Sequence, residues 1–136
     1  MAQNKSNDAT PLRSEGDRVL NAPLVEINWE KFIEQLKSEI TWKDGDKNTI
    51  TIFKSEKMRI VIIGLKANSE LKKHTAPGFI SVQPLKVFIR FKTHPDEGEQ
   101  QISEMKPGQM IALQPKVPHS VEAVEESFFL LTLSML

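Results

Sequence analysis

His74 and His119 are the side chains whose type and setting could do chemistry in this chain. Each follows turn-forming residues and leads into a β-like run. The first context is Leu71-Lys72-Lys73-His74-Thr75-Ala76-Pro77-Gly78-Phe79-Ile80-Ser81-Val82. The second is Gln114-Pro115-Lys116-Val117-Pro118-His119-Ser120-Val121-Glu122-Ala123. An imidazole changes charge near neutral pH, ligates metals and hydrogen-bonds ligands. A base without a partner acid, nucleophile or metal is not a mechanism. The pair therefore reads as two polar anchors in a β-rich core, or as two satisfied histidines at its mouth. Lys72 and Lys73 could draw an anion towards His74, or form a solvated pair. His94, in a charged turn before Pro95, reads as surface. Gln83, Arg90 and Gln114 read as exposed or hydrogen-bonded strand residues. No P-loop, dinucleotide-binding glycine motif or nucleophile elbow occurs, which removes simple nucleotide-binding and serine-hydrolase readings.

The elements that must position these residues follow from periodicity. Residues 1 to 16 are polar and aperiodic, and read as a flexible tail. Val19 to Ile27 reads as extended. One helix is expected after Asn28, a good N-cap, because Trp29, Phe32, Ile33, Leu36 and Ile40 recur at helical spacing. That stripe is expected to pack on the outside of a sheet. The turn-rich segment 43–48 ends it. From Thr49 the pattern becomes β-like, with runs at 49–54, 58–66, 79–83, 85–92, 100–105, 110–113, 120–123 and 127–133. The division between 79–83 and 85–92 is placed at Pro84. Short strands spaced roughly ten residues apart mark a sandwich or barrel. The expected organisation is a tail (1–16), an N-terminal strand and helix packing on the barrel (17–48), and the barrel itself (49–136).

Composition bounds the partners. At 136 residues, one domain with a sizeable core is expected. Lys plus Arg and Asp plus Glu are 18 each, so the net charge is zero. That lacks the basic footprint of a nucleic-acid binder, and gives no pull towards an anionic membrane. The chain has no cysteine, hence no disulfide or thiolate chemistry. With no apolar leader core and no apolar stretch of about 18 residues, a cytoplasmic location is expected.

The residues around the two histidines resemble the cupin superfamily, specifically small single-domain bacterial cupins with the RmlC-like jelly roll. The resemblance covers about residues 50 to 135. The family's first motif is G-x5-H-x-H-x3,4-E-x6-G and its second is G-x5-P-x-G-x2-H-x3-N. Asn68 stands at the first glycine position and His74 at the first histidine. Ala76 replaces the second histidine, Ile80 the glutamate and Val87 the last glycine. In the second motif Gly108 and His119 match, Pro118 precedes the histidine, and Lys116 and Ala123 replace the glycine and asparagine. The resemblance implies an all-β jelly-roll barrel (a double-stranded β-helix) with one N-terminal α-helix, and a homodimer. An apolar C-terminal strand would also suit a dimer seam.

It also implies a metal site, held by the motif histidines and glutamate. Here only His74 and His119 remain of four ligand positions, and the lost two are apolar. Structural zinc takes four ligands and catalytic zinc usually three; non-haem iron favours two histidines and a carboxylate. Glu122 has the wrong parity to join His119. The expectation is no tightly bound metal, with a weakly bound divalent metal on His74 and His119 as the alternative. If the family arrangement holds, alternation turns His74, Ala76, Ile80 and Val82 inward, and likewise His119, Val121 and Ala123. The expected function is binding of a small molecule by His74, His119, Ala76, Ile80, Val121 and Ala123. A degenerate metal-dependent dioxygenase or isomerase, and a dimeric interaction module without ligand, stand as alternatives.

Overall fold

The computed structural model describes residues 19–135; the expected tail at 1–16 lies outside them. Helices α1 (Trp29–Ser38) and α2 (Ile40–Asp44) precede nine strands. These are β1 (Lys47–Lys54), β2 (Met58–Leu65), β3 (Glu70–His74), β4 (Phe79–Lys86), β5 (Ile89–Thr93), β6 (Ile102–Met105), β7 (Ile111–Leu113), β8 (His119–Glu122) and β9 (Ser127–Ser134). They form a five-stranded sheet of order β1-β2-β9-β4-β7 and a four-stranded sheet of order β3-β8-β5-β6. Every pairing is antiparallel. This is an all-β jelly roll with an N-terminal helical region.

The strand sequences explain the layers. β2 and β9 read as continuous apolar runs because both of their faces are covered. Val61, Ile63, Leu65 and Phe129 enter the core between the sheets. Ile62 and Phe128 instead pack under the helices with Ile33, Leu36, Trp42, Ile50 and Ile52. In β5 and β8 the pattern alternates. Ile89, Phe91 and Val121 are buried between the sheets, whereas Arg90, Ser120 and Glu122 stay partly exposed on the far side. One covered face gives alternation; two give an apolar run.

The helical region departs from the sequence reading in its length. Glu39 adopts an extended backbone (φ −86°, ψ 152°), which ends α1 and starts α2. The break turns Ile40 outward, 58 % exposed, so it leaves the apolar stripe. Asn48 belongs to β1, not to the preceding turn. Its Nδ2 donates to the carbonyl of Leu36 at 3.0 Å and to Glu39 Oε1 at 2.9 Å, tying the end of α1 to the sheet. Gly64 makes the close approach possible. A Cβ there would lie 2.8 Å from the Phe128 ring and 3.1 Å from Leu36 Cδ2.

Other boundaries also differ. Residues 19–27 form no strand; Leu20 is buried and its carbonyl accepts from the Lys54 N–H at 2.9 Å. β4 runs through Pro84, and the break falls at 87–88. Pro84 sits beside a register shift and beyond the Ile80–Val82 segment paired with β7, where a missing N–H is tolerated. β3 was not expected as a strand, since its Glu-Leu-Lys-Lys-His sequence lacks strand-forming residues. Its pairing to β8 supplies what propensity does not.

Candidate functional site

Four turn positions shape the ends of the strands. Asn68, Val87 and Lys116 have φ of 67°, 72° and 68°, and Gly108 has 99°. These are the glycine positions of the two motifs. The left-handed backbone persists where the glycine itself does not. Asn adopts it readily, whereas a β-branched Val does so under strain. The Lys116 turn is clipped to the opposite loop by its N–H donating to the Ala76 carbonyl at 2.9 Å.

The two histidines meet. β3 pairs with β8 through Glu70↔Glu122, Leu71↔Val121 and His74↔His119. Three steps on β3 match two on β8, so β3 carries a bulge. Without it, alternation from inward Leu71 would turn Lys73 rather than His74 towards His119. The imidazole centroids are 4.4 Å apart and the rings tilt at 58°. His119 also stacks on Phe91, with centroids 5.3 Å apart and planes at 15°. Three rings on β5, β8 and β3 thus form a ladder, buried at Phe91 and open at His74.

Both histidines are held by the same local contact. His74 Nδ1 bonds the carbonyl of Lys72 at 2.7 Å, and His119 Nδ1 bonds that of Val117 at 2.8 Å. A carbonyl only accepts, so each Nδ1 carries its hydrogen. In the neutral ring Nε2 is then an acceptor. His119 is 1 % exposed. Burial holds its pKa below the usual imidazole value; the Val117 carbonyl opposes that shift, and nearby His74 and His94 add to it.

The other expected lining residues are also inward. Ile80, Val121 and Ala123 are buried in the inter-sheet core and Ala76 packs against it. Their depths differ. Ala123 pairs with the turn at Asn68 and Ser69, at the far end of β8, about 13 Å along the strand from His119. Ala76, beside Lys116, is at the mouth. A separate cavity of about 430 Å³ lies outside the barrel, lined by Val19, Leu24, Val25, Glu26, Ile27, Phe32 and Ile52.

The outer face of the four-stranded sheet carries polar contacts that the sequence reading did not join into a network. His94 is half-buried rather than simply surface-exposed. Its Nε2 lies 2.7 Å from Ser120 Oγ, and its Nδ1 lies 3.2 Å from Gln100 Nε2. Arg90 donates to Glu122 Oε2 at 2.6 Å and to Glu104 Oε2 at 3.0 Å, and Lys92 pairs with Glu122 at 3.2 Å. Arg90 holds the Glu122 carboxyl below the usual range, with Lys92 assisting. The signal for this network was parity: residues beside inward Phe91 and Val121 must face out together.

The donor set does not fit a firmly held metal. His74 and His119 supply two nitrogens, while Ala76 and Ile80 (4 % exposed, in the core) occupy the other ligand positions of the motif. Among the described residues, no three His, Cys, Asp or Glu side chains gather into a metal-holding group. No helix among them is long and apolar enough to cross a membrane.

No protein-family model matches the chain, and no curated protein matches it. Solved structures do resemble it. A conserved protein of unknown function from Streptococcus pyogenes, SPY1581, superposes with a TM-score of 0.61 at 18 % identity, covering 88 % of this chain and 93 % of that one. An RmlC-like cupin from Shewanella frigidimarina gives 0.60 at 13 %, over 68 % and 78 %. Oxalate decarboxylase from Bacillus subtilis, a protein with Mn(II) centres, gives 0.58 at 20 %, over 65 % of this chain and 25 % of that one. The fold is the cupin jelly roll.

Proposed function

We propose that this cupin-fold protein binds a small molecule at the mouth of its barrel, with His74 and His119 as polar anchors and without a tightly bound metal. One observation carries the reading: the adjacent imidazoles have both Nδ1 atoms committed to backbone carbonyls. Both Nε2 atoms are thereby left for something outside the protein. Ala76 supplies apolar surface alongside, while Ile80, Val121 and Ala123 are buried in the core. Protein expressed and purified without added metal is expected to contain no stoichiometric transition metal by elemental analysis. One metal per chain, lost in both His74→Ala and His119→Ala, would replace this reading with the metal-dependent one. The proposal includes a homodimer working in the cytoplasm; the absence of cysteine suits that compartment.

A further inference from the structure

We infer that the ligand presents hydroxyl groups to His119 and His74, as a polyhydroxy compound does, and not a carboxylate or an amine. This rests on the reading of the two histidines as the ligand site, and it names the chemistry that site accepts.

The argument starts from the backbone. The carbonyls of Lys72 and Val117 can only accept, so they place the imidazole hydrogens on Nδ1. When neutral, a ring so held offers a lone pair at Nε2. Neither Nε2 has a hydrogen-bond partner among the described residues. The His119 Nε2 is not fully enclosed, unlike the unpartnered, buried Ser69 Oγ. A nearly buried ring with an unpartnered acceptor, lying against the exposed His74, is a built half-site. Its complement is a donor, because leaving such an atom unpaired beneath a bound ligand costs a desolvation penalty.

Two acceptors, on rings whose centroids are 4.4 Å apart, call for two donors on one ligand. Adjacent hydroxyls on one carbon chain meet that demand. A carboxylate offers only lone pairs and would face lone pairs. An ammonium could donate, but the mouth is cationic. Lys72 and Lys73 precede His74, Lys116 is clipped to Ala76, all three are exposed, and none makes an ion pair among the described residues. The same lysines tolerate a negative charge elsewhere on the ligand. The partly exposed apolar surface at Ala76 suits its C–H faces.

The test compares three six-carbon probes on the intact protein: gluconate, adipate and 1,6-diaminohexane. Long-range ¹H–¹⁵N spectra report the imidazole nitrogens directly. The free protein is expected to show both rings protonated at Nδ1, and gluconate is expected to shift both Nε2 signals. Gluconate should bind roughly tenfold or more tightly than adipate, the worth of one to two hydrogen bonds. His74→Ala, at an exposed position, should weaken gluconate roughly tenfold while leaving the backbone spectrum intact. Adipate or the diamine binding as well as gluconate, with the ring signals moving, overturns the hydroxyl assignment and leaves the site standing. So does a free His119 protonated at Nε2. If no probe moves either ring, the site itself fails, and this inference with it.

Discussion

His119 carries a stability consequence that can be measured at the scale of one residue. Its folded pKa lies below the ordinary imidazole value because burial disfavours the charged ring. The unfolded chain therefore binds the proton more readily. The contribution of His119 is complete above the unfolded pKa of about 6.5 and is lost as pH falls below it towards the lowered folded value. Denaturant melts from pH 7.5 to 5 should show this loss, and His119→Leu should flatten the slope. An unchanged slope would mean that His119 is not the titrating group. Val87 offers a second residue-scale test. Its left-handed backbone (φ 72°) costs a branched side chain about 1–2 kcal/mol. Val87→Gly removes that strain, and the greater freedom of glycine in the unfolded chain offsets part of the gain. A net rise of roughly 0.5–1 kcal/mol is expected in chemical denaturation, whereas Asn68→Gly should change little.

At the scale of elements, the docking of α1 depends on a missing side chain. Leu36 and Ile33 are buried against the sheet, each contributing roughly 1.5–3 kcal/mol. Leu36 reaches it over Gly64, where a Cβ would clash with Phe128 and crowd Leu36. Gly64→Ala should cost about 1–3 kcal/mol by overpacking. It should also speed amide exchange in α1 more than in β8, and equal exchange in the two would show that α1 is not held this way. Much of this layer could be read in the sequence. The stripe Trp29, Phe32, Ile33 and Leu36 gave the helix and its apolar face. The break at Glu39 could not be read, because it is held from outside by Asn48, whose partners at Leu36 and Glu39 are twelve and nine residues away. β3 was hidden for a similar reason. Its five residues have little strand propensity, and pairing to β8, some fifty residues later in the chain, makes them a strand.

Over the described residues, the molecule is two sheets enclosing a core, with a helical layer on one outer face. That layer changes the case for a dimer. The apolar C-terminal run is β9, a central strand between β2 and β4. Its side chains are used by the inter-sheet core and by the helical layer. What remains for a partner on this face is the part that the helices leave open, where Met58 and Phe79 both align with Ser134 in register and Phe79 is 44 % exposed. If this face forms the dimer, light scattering at micromolar concentration should give twice the chain mass, and Phe79→Glu should give monomers. A monomeric parent protein would end that proposal.

The sequence by itself determined the fold class, the inward set Ala76, Ile80, Val82, Val121 and Ala123, and the two histidines as the residues to follow. Alternation, turn chemistry and motif spacing are local, and local patterns survive in one dimension. The motif's glycine positions marked bends at Asn68 and Lys116, whereas Val87 lay inside the expected strand 85–92 and its left-handed turn emerged only in the structure. Only the tertiary structure decided that the histidines touch and which nitrogen each leaves free. Their meeting depends on a one-residue bulge in β3, which reverses the parity that alternation alone would assign from Leu71. Their tautomers depend on two backbone carbonyls, whose directions are set by turns and strand pairing rather than by side-chain type. A resemblance in spacing pointed to what remains of a metal site. The geometry adds that the two rings lie together, each with its Nδ1 on a backbone carbonyl.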